Sequence, residues 1–207
     1  MFIQPIHPPE LLSSVTTDRW VVVHGLSVAM CFFWLLGITG IYARQVEEAG
    51  WLGLAGFLLL GMFLVLPAAF TFAEAVILPP LATAAPTFVE GFLGIESGSN
   101  SGANLGALPA VYTLSGVLYL LGGVLFGSAT LRAGILPRWA AGLLAVGTVL
   151  PLAFLLLLPH QFLRLAAVPV GVALACLGYA LWSERPEEAS EPIPDRRRPQ
   201  LRQTGAE

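Results

Sequence analysis

The chain has 207 residues, of which 56% are hydrophobic and only 11% are charged. A soluble domain carries roughly 25% charged residues, so this composition is typical of a membrane protein. The formal net charge is −3, and all ten basic residues are Arg, which excludes a basic surface of the kind that collects nucleic acid. Because the chain contains no Lys, a retinal Schiff base, a Lys nucleophile and a phosphate-binding P-loop are also excluded.

Neither the cysteines nor the N-terminus indicates a special function. Cys31 and Cys176 each lie inside an apolar run and share no C-x-x-C spacing. This pattern favours small buried hydrophobic residues over a zinc or redox site. Residues 1–19 form an N-terminal extramembrane segment without a basic region ahead of an apolar run, so we predict no cleaved signal peptide.

Five apolar runs are long enough to cross a bilayer core of about 30 Å at about 1.5 Å per residue. They cover residues 20–42, 51–78, 108–131, 137–158 and 160–182. We therefore predict an all-α fold, a polytopic membrane bundle of about five transmembrane helices. Pro67 removes a backbone donor from the second helix and predicts a kink there. The short connections between the last three runs predict antiparallel neighbours.

The segments between and after these runs have a different composition. Residues 79–107 are rich in Ala, Thr, Ser, Gly and Asn and predict a long outer loop. Within that loop, Phe88–Leu93 can form a short helix along the membrane interface. Residues 183–207 are rich in Glu, Pro and Arg, and predict a disordered cytoplasmic tail.

The arginines predict the orientation, because the cytoplasmic flanks of membrane helices are enriched in basic residues. With five spans, only Arg19 and Arg164 lie on one side of the membrane. The other eight lie on the opposite side: Arg44, Arg132, Arg138, Arg185, Arg196, Arg197, Arg198 and Arg202. We therefore expect the N-terminus outside and the C-terminus in the cytoplasm.

The third predicted helix carries a stripe of Tyr and Gly at spacings of four and three residues. The stripe consists of Tyr112, Gly116, Tyr119, Gly123 and Gly127. Small residues at these spacings let membrane helices approach closely. The stripe either packs inside the bundle, which is the more common use, or joins a homo-oligomer through Gly116, Gly123 and Gly127.

A distinctive hairpin sequence, FGSATLRAGILPRWA, joins the third and fourth runs at residues 126–140. Arg132 and Arg138 flank the turn, Gly134 suits a left-handed helix cap, and Trp139 suits the membrane interface. On this segment, and more loosely from the second run to the fifth, the chain resembles a set of small bacterial polytopic membrane proteins that share an LRAGxLPRWA hairpin. The resemblance implies a helical fold in a bacterial inner membrane, and it implies no activity and no functional residue.

Polar groups inside apolar spans are costly and therefore mark candidate sites. On the predicted topology, five of them lie near the outer surface: His24, Glu74, Tyr112, His160 and Arg164. We interpret them as a polar pocket that opens outward, in which Glu74 pairs with Arg164 and the histidines act as ligands or proton carriers. Alternatively, these groups lie within one turn of the interface and reach water as ordinary structural residues.

Three classes of function remain open. The first is binding, or transport, of a small molecule, lipid or quinone in the outer pocket. The second is a structural or accessory membrane protein that acts through helix packing and partners. The third is a b-type haem or metal protein in which His24 and His160 are ligands. The chain has no H-E-x-x-H or G-x-S-x-G motif, so an enzyme has little support, and no cofactor is identified.

Overall fold

The computed structural model describes residues 11–97, 102–157 and 165–183. These residues are 91% helical and include no strand. They form the helices α1 (Leu12–Val15), α2 (Asp18–Arg44), α3 (Val46–Phe72), α4 (Leu78–Ala84), α5 (Pro86–Ser97), α6 (Leu108–Ala133), α7 (Arg138–Leu157) and α8 (Val168–Ser183). A π-helical turn, Ala73–Ile77, joins α3 to α4. The prediction of an all-α bundle is therefore confirmed.

Four helical stretches of the described chain are long and apolar enough to cross a membrane. They are Asp18–Arg44, Val46–Ala84, Leu108–Ala133 and Leu165–Ser183. The apolar helix α7 is shorter. These lengths and compositions indicate a membrane protein.

The first span begins at a recognisable helix cap. The hydroxyl of Thr17 accepts a hydrogen bond from the Trp20 backbone N–H at 3.3 Å, and Asp18 supplies a negative charge in the first turn. Arg44 occupies the last turn, where a positive charge faces the negative end of the helix dipole. Local chemistry therefore sets both ends of α2.

The second span starts where the sequence predicts, after a break in the backbone. Gly50 has φ 55° and ψ −157°, a left-handed conformation that Gly adopts more readily than other residues. Val46–Ala49 therefore form a separate turn, and the continuous helix starts at Trp51. Gly50 is the one residue inside α3 with non-helical dihedrals, so the backbone passes Pro67 without a break.

The expected outer loop, residues 79–107, is largely helical where it is described. It contains most of α4 and all of α5, and the expected short helix Phe88–Leu93 lies within α5. The apolar side chains of this region are buried rather than spread along an interface. They form one cluster with the start of α2: Val15, Trp20, Leu78, Ala82, Val89, Phe92 and Leu93. We refer to α1, α4 and α5 as the cap of the bundle.

Glycines bring α3 and α6 into backbone contact. A Cβ atom added to Gly56 would lie 2.7 Å from the Cα of Phe126, and one added to Gly122 would lie 2.6 Å from the Leu60 backbone N. Distances below 3.0 Å leave no room for a methyl group, and here the obstructing atoms belong to the backbone. Close approach of these two helices therefore requires Gly at both positions.

The Tyr and Gly stripe of the sequence separates into two parts in α6. Gly123 and Gly127 are buried against α7, and a Cβ atom on Gly127 would lie 2.6 Å from the Ala145 backbone N. These two glycines therefore serve internal packing, the first of the two alternatives. Gly116 instead has open space at its Cβ position and lines a cavity together with Tyr112 and Tyr119.

A buried hydrogen bond joins the C-terminal end of α2 to the C-terminal part of α6. Gln45, which follows α2, donates from Nε2 to the Thr130 hydroxyl at 2.7 Å, and Thr130 donates to the Phe126 carbonyl at 2.9 Å. The hairpin that follows α6 adopts the expected cap, since Gly134 has φ 69° and ψ 8°. Trp139 is exposed at the start of α7.

Candidate binding site

Glu74 lies in the π-helical turn, and the following prolines help to explain that turn. The Leu78 N–H bonds to the Ala73 carbonyl, five residues earlier, so the Glu74 carbonyl loses its α-helical partner. Its π-helical partner would be the nitrogen of Pro79, which carries no hydrogen. The indole Nε1 of Trp20 donates to the Glu74 carbonyl instead, at 2.8 Å. A side chain of α2 thus satisfies a backbone acceptor that Pro79 leaves open.

His24 lies one turn after Trp20 on the same face of α2, and its exposed fraction is 3%. Its ring stacks on the Trp20 indole with a centroid distance of 4.1 Å. Nδ1 is 2.7 Å from the Trp20 carbonyl, and Nε2 is 3.3 Å from Oε2 of Glu74. The carbonyl can only accept, so Nδ1 must carry a hydrogen.

The contact between His24 and Glu74 suits a shared proton. With a hydrogen on Nδ1, a neutral imidazole would present a lone pair at Nε2 towards the carboxylate oxygens. The contact is favourable when the shared proton is on Nε2, as an imidazolium–carboxylate pair, or on Glu74, as a carboxylic acid that donates to Nε2.

Tyr112, the third predicted residue, lies near the same end of the bundle. Its ring meets Phe70 edge-on, with centroids 5.8 Å apart at 84°, and Phe70 also packs against Phe92 of the cap. Tyr112 and Glu74 line one cavity. The structure therefore brings His24, Glu74 and Tyr112 together, although they come from three different helical segments.

The cavity has a volume of about 900 Å³ and lies between α2, α3, α5, α6 and α8, with Pro151 of α7 in its wall. Most of the described wall is aliphatic or aromatic, with several Gly and Pro residues. Six wall residues have polar atoms in their side chains: Trp34, Thr71, Glu74, Tyr112, Ser115 and Tyr119. Among the described wall residues, Glu74 is the single acidic or basic one. Ligand sites commonly combine an apolar wall with a few polar groups in this way.

His160 and Arg164 lie outside the described residues, so the expected Glu74 and Arg164 pair stays a prediction. The haem hypothesis for His24 and His160 stays a prediction for the same reason. In the described part, both ring nitrogens of His24 contact protein oxygens, and axial ligation of haem would require breaking one contact. No group of three or more His, Cys, Asp or Glu among the described residues is placed to hold a metal ion.

Four residues of this region were not singled out as site residues from the sequence: Trp20, Trp34, Ser115 and Tyr119. Trp20 carried a usable signal, because its spacing of four from His24 places both rings on one helix face. Tyr119 belongs to the stripe on α6, and Ser115 lies four residues before it. Trp34 had no such signal, since an aromatic residue in an apolar run is ordinary core composition.

Comparisons with protein-family models, with curated proteins and with solved structures find no match to this chain. The resemblance of the hairpin at residues 126–140 to small bacterial membrane proteins therefore stays a prediction. The function must be argued from the geometry of the cavity and of its polar end.

Proposed function

We propose that this integral membrane protein binds a lipid-soluble molecule, of the small-molecule, lipid or quinone classes, inside its helix bundle. The observation that carries the proposal is the cavity of about 900 Å³, with its apolar wall and the Glu74 carboxyl group at one end. Its volume lies within the range of roughly 300–1,000 Å³ that is usual for ligand sites. The apolar wall suits a hydrocarbon body, and Glu74, His24 and Tyr112 suit a polar group.

The energetic cost of placing Glu74 within a membrane helix supports a binding site over simple helix packing. An ionisable residue within a membrane helix is expensive and is commonly associated with function. Glu74 also lies in a π-helical turn, a rare feature that frequently occurs at functional sites. Both features occur at the wall of the same cavity, where an apolar side chain in a regular helix would give simpler packing.

We also propose five spans, with the N-terminus outside, the C-terminus inside, and a bacterial inner membrane as the location. The 20 residues of α7 give about 30 Å of helix, which matches the bilayer core. Glu74 follows Trp51 by 23 residues, or about 35 Å of helix, which suits a position near the outer surface. Arg44, Arg132 and Arg138 then lie on the cytoplasmic side, and the hairpin resemblance supports a bacterial membrane.

The two alternative functions have less support from the described residues. An accessory protein that assembles through the stripe would use Gly123 and Gly127, and both are buried against α7. A haem protein would need His24, whose two ring nitrogens already contact Trp20 and Glu74. Binding in the cavity is compatible with all of these contacts as they stand.

The proposal is tested by filling the cavity. Gly116 lines it and has no atom within 4 Å of an added Cβ, so Gly116→Leu should extend into the cavity without disturbing the backbone. Gly142 on α7 has the same open space but does not line the cavity, and Gly142→Leu is the matched control. The full-length proteins are purified in detergent, and the retained lipophiles are extracted and identified by mass spectrometry.

We expect the wild-type protein and Gly142→Leu to retain the same lipophile at near-stoichiometric amounts. Gly116→Leu should lose it by about tenfold, because the added side chain occupies its space. Equal retention in all three proteins would contradict the proposal, since the retained molecule would then be bound elsewhere on the surface.

A further inference from the structure

A second polar group of residues lies deeper in the cavity than Glu74. Trp34 follows His24 by ten residues on α2, which places it about 15 Å further along the helix. Phe63 of α3 packs between Trp34, at 6.1 Å between ring centroids, and Tyr119 of α6, at 4.8 Å. Ser115 lies one turn before Tyr119. We refer to Trp34, Ser115 and Tyr119 as the inner subsite, and all three line the cavity.

The hydroxyl of Ser115 differs from most of the helical hydroxyls of the described bundle. Several described Ser and Thr side chains donate to a backbone carbonyl one turn earlier: Ser27, Thr39, Thr113, Thr130, Thr148 and Ser183. Such bonds are the usual way to satisfy a hydroxyl within a membrane helix. Ser115 is more than nine-tenths buried, with 8% of its surface exposed, and makes no such bond within the described chain.

The other two members of the inner subsite also have unused hydrogen-bonding capacity. Nε1 of Trp34 is buried and has no hydrogen-bond partner, and the indole N–H can only donate. The Tyr119 hydroxyl makes no hydrogen bond to any residue of the described ranges. A buried donor without an acceptor is destabilising and rare in native proteins. Trp34 is such a donor, and the Ser115 and Tyr119 hydroxyls line the same cavity without a described partner, so a bound molecule can supply hydrogen-bond partners there.

We propose that the inner subsite binds the carbonyl-bearing ring of an uncharged, quinone-class lipophile. All three side chains can donate and Trp34 can only donate, so an acceptor such as a carbonyl oxygen is the partner that suits all three. The aromatic rings of Trp34, Phe63 and Tyr119 favour a flat partner. No described residue of the subsite is charged, so an ionised headgroup would be uncompensated there. The proposal rests on the proposed function, because it names the class of molecule that occupies the same cavity.

The test compares two probes that differ in the oxygen acceptors of their rings. Decylubiquinone carries two carbonyls and two methoxy groups on its ring and a ten-carbon tail, and decylbenzene has the tail and a ring without oxygen. Full-length protein in lipid nanodiscs is equilibrated with each probe, and bound probe is quantified after subtracting the amount in empty nanodiscs. The variants are Trp34→Phe, Ser115→Ala with Tyr119→Phe, and Thr113→Ala as a matched control, because Thr113 already has a backbone partner.

We expect saturable binding of decylubiquinone to the wild-type protein, with an affinity about tenfold or more above that for decylbenzene. The Ser115→Ala, Tyr119→Phe double variant should lose about tenfold of the quinone affinity, and Trp34→Phe about fivefold. Thr113→Ala should leave the affinity unchanged. Unchanged decylbenzene binding in every variant would show that the cavity itself is intact.

Three results would overturn the inference. Equal affinity for the two probes would mean that the cavity binds lipophiles without recognising a carbonyl, and the proposed function would stand. If the double variant and Trp34→Phe keep the full preference for decylubiquinone over decylbenzene, these residues do not recognise the quinone. If decylubiquinone fails to bind although the protein retains a different lipophile, the ligand class is wrong and the cavity proposal survives. If the protein binds neither decylubiquinone nor any other lipophile, the proposed function itself is wrong.

Discussion

The two halves of α6 use small residues in opposite ways. In the C-terminal half, Gly122, Gly123 and Gly127 are buried, and they bring the backbones of α3 and α7 to within contact distance. In the N-terminal half, Ser115 and Gly116 line an open cavity of about 900 Å³. The same helix therefore packs as closely as a backbone allows near one end and leaves room near the other. Small residues permit close packing but do not enforce it.

The largest expected effect is at the closely packed half of α6, where Gly56 of α3 meets Phe126. Gly56→Ala places a methyl group against the backbone of Phe126, where no side-chain movement can relieve the overlap. We expect a loss of stability of about 3 kcal/mol or more, and a lower yield of folded protein, because overpacking costs roughly 1–3 kcal/mol even where neighbours can adjust. Thermal unfolding in detergent, followed by circular dichroism, measures the change.

The matched change in the open half is Gly116→Ala. Nothing lies within 4 Å of the added methyl group, and Ala is the better helix former by about 0.8–1.0 kcal/mol. Stability should therefore stay the same or rise slightly. A similar loss for Gly56→Ala and Gly116→Ala would show that the two halves of α6 do not differ in packing.

The fold class was predictable from the sequence because the length and composition of an apolar run are local properties. The break at Gly50 also matched the predicted start of the second span at Trp51, since Gly favours such a backbone conformation. Within residues 79–107 only the short helix Phe88–Leu93 was predicted, whereas α4 and all of α5 are helical. Ala, Thr and Ser suggested a loop, whereas burial of Val89, Phe92 and Leu93 against Trp20 stabilises α5 through tertiary contacts.

The candidate site was only partly predictable. His24, Glu74 and Tyr112 could be identified because polar residues are rare in apolar runs. The cavity could not be identified, because its wall combines five helices and no local pattern specifies the distance between them. The contact of Glu74 with His24 also depends on the π-helical turn, which follows from Pro79 only when the position of Trp20 is known.

An intermediate effect is expected at the link between the cap and the cavity. Trp20→Phe removes the indole donor and leaves the Glu74 carbonyl without its 2.8 Å hydrogen bond. An unsatisfied buried acceptor costs about 1–3 kcal/mol, so the melting temperature should fall. In a Pro79→Ala background, the new backbone N–H can supply the π-helical bond, and the same Trp20→Phe change should cost less. Equal costs in both backgrounds would reject the proposed link between Pro79 and Trp20.

The smallest effect is expected for the Ser115 hydroxyl of the inner subsite. Thr130→Val leaves the buried Gln45 amide without its 2.7 Å partner and should cost about 1–3 kcal/mol. Ser115→Ala removes a hydroxyl that has no described partner, and should change the stability of the ligand-free protein by less than about 0.5 kcal/mol. Parallel unfolding measurements on delipidated protein give both values. A large loss for Ser115→Ala would mean that this hydroxyl supports the fold rather than a ligand.

The most direct test of the cavity is an experimental structure of the full-length wild-type protein in a lipid nanodisc. The account predicts elongated, non-protein density between α2, α3, α6 and α8, with one part of it in contact with Tyr119. A bundle in which no space remains between α8 and α6, with Trp34, Ser115 and Tyr119 covered by protein side chains, would contradict it.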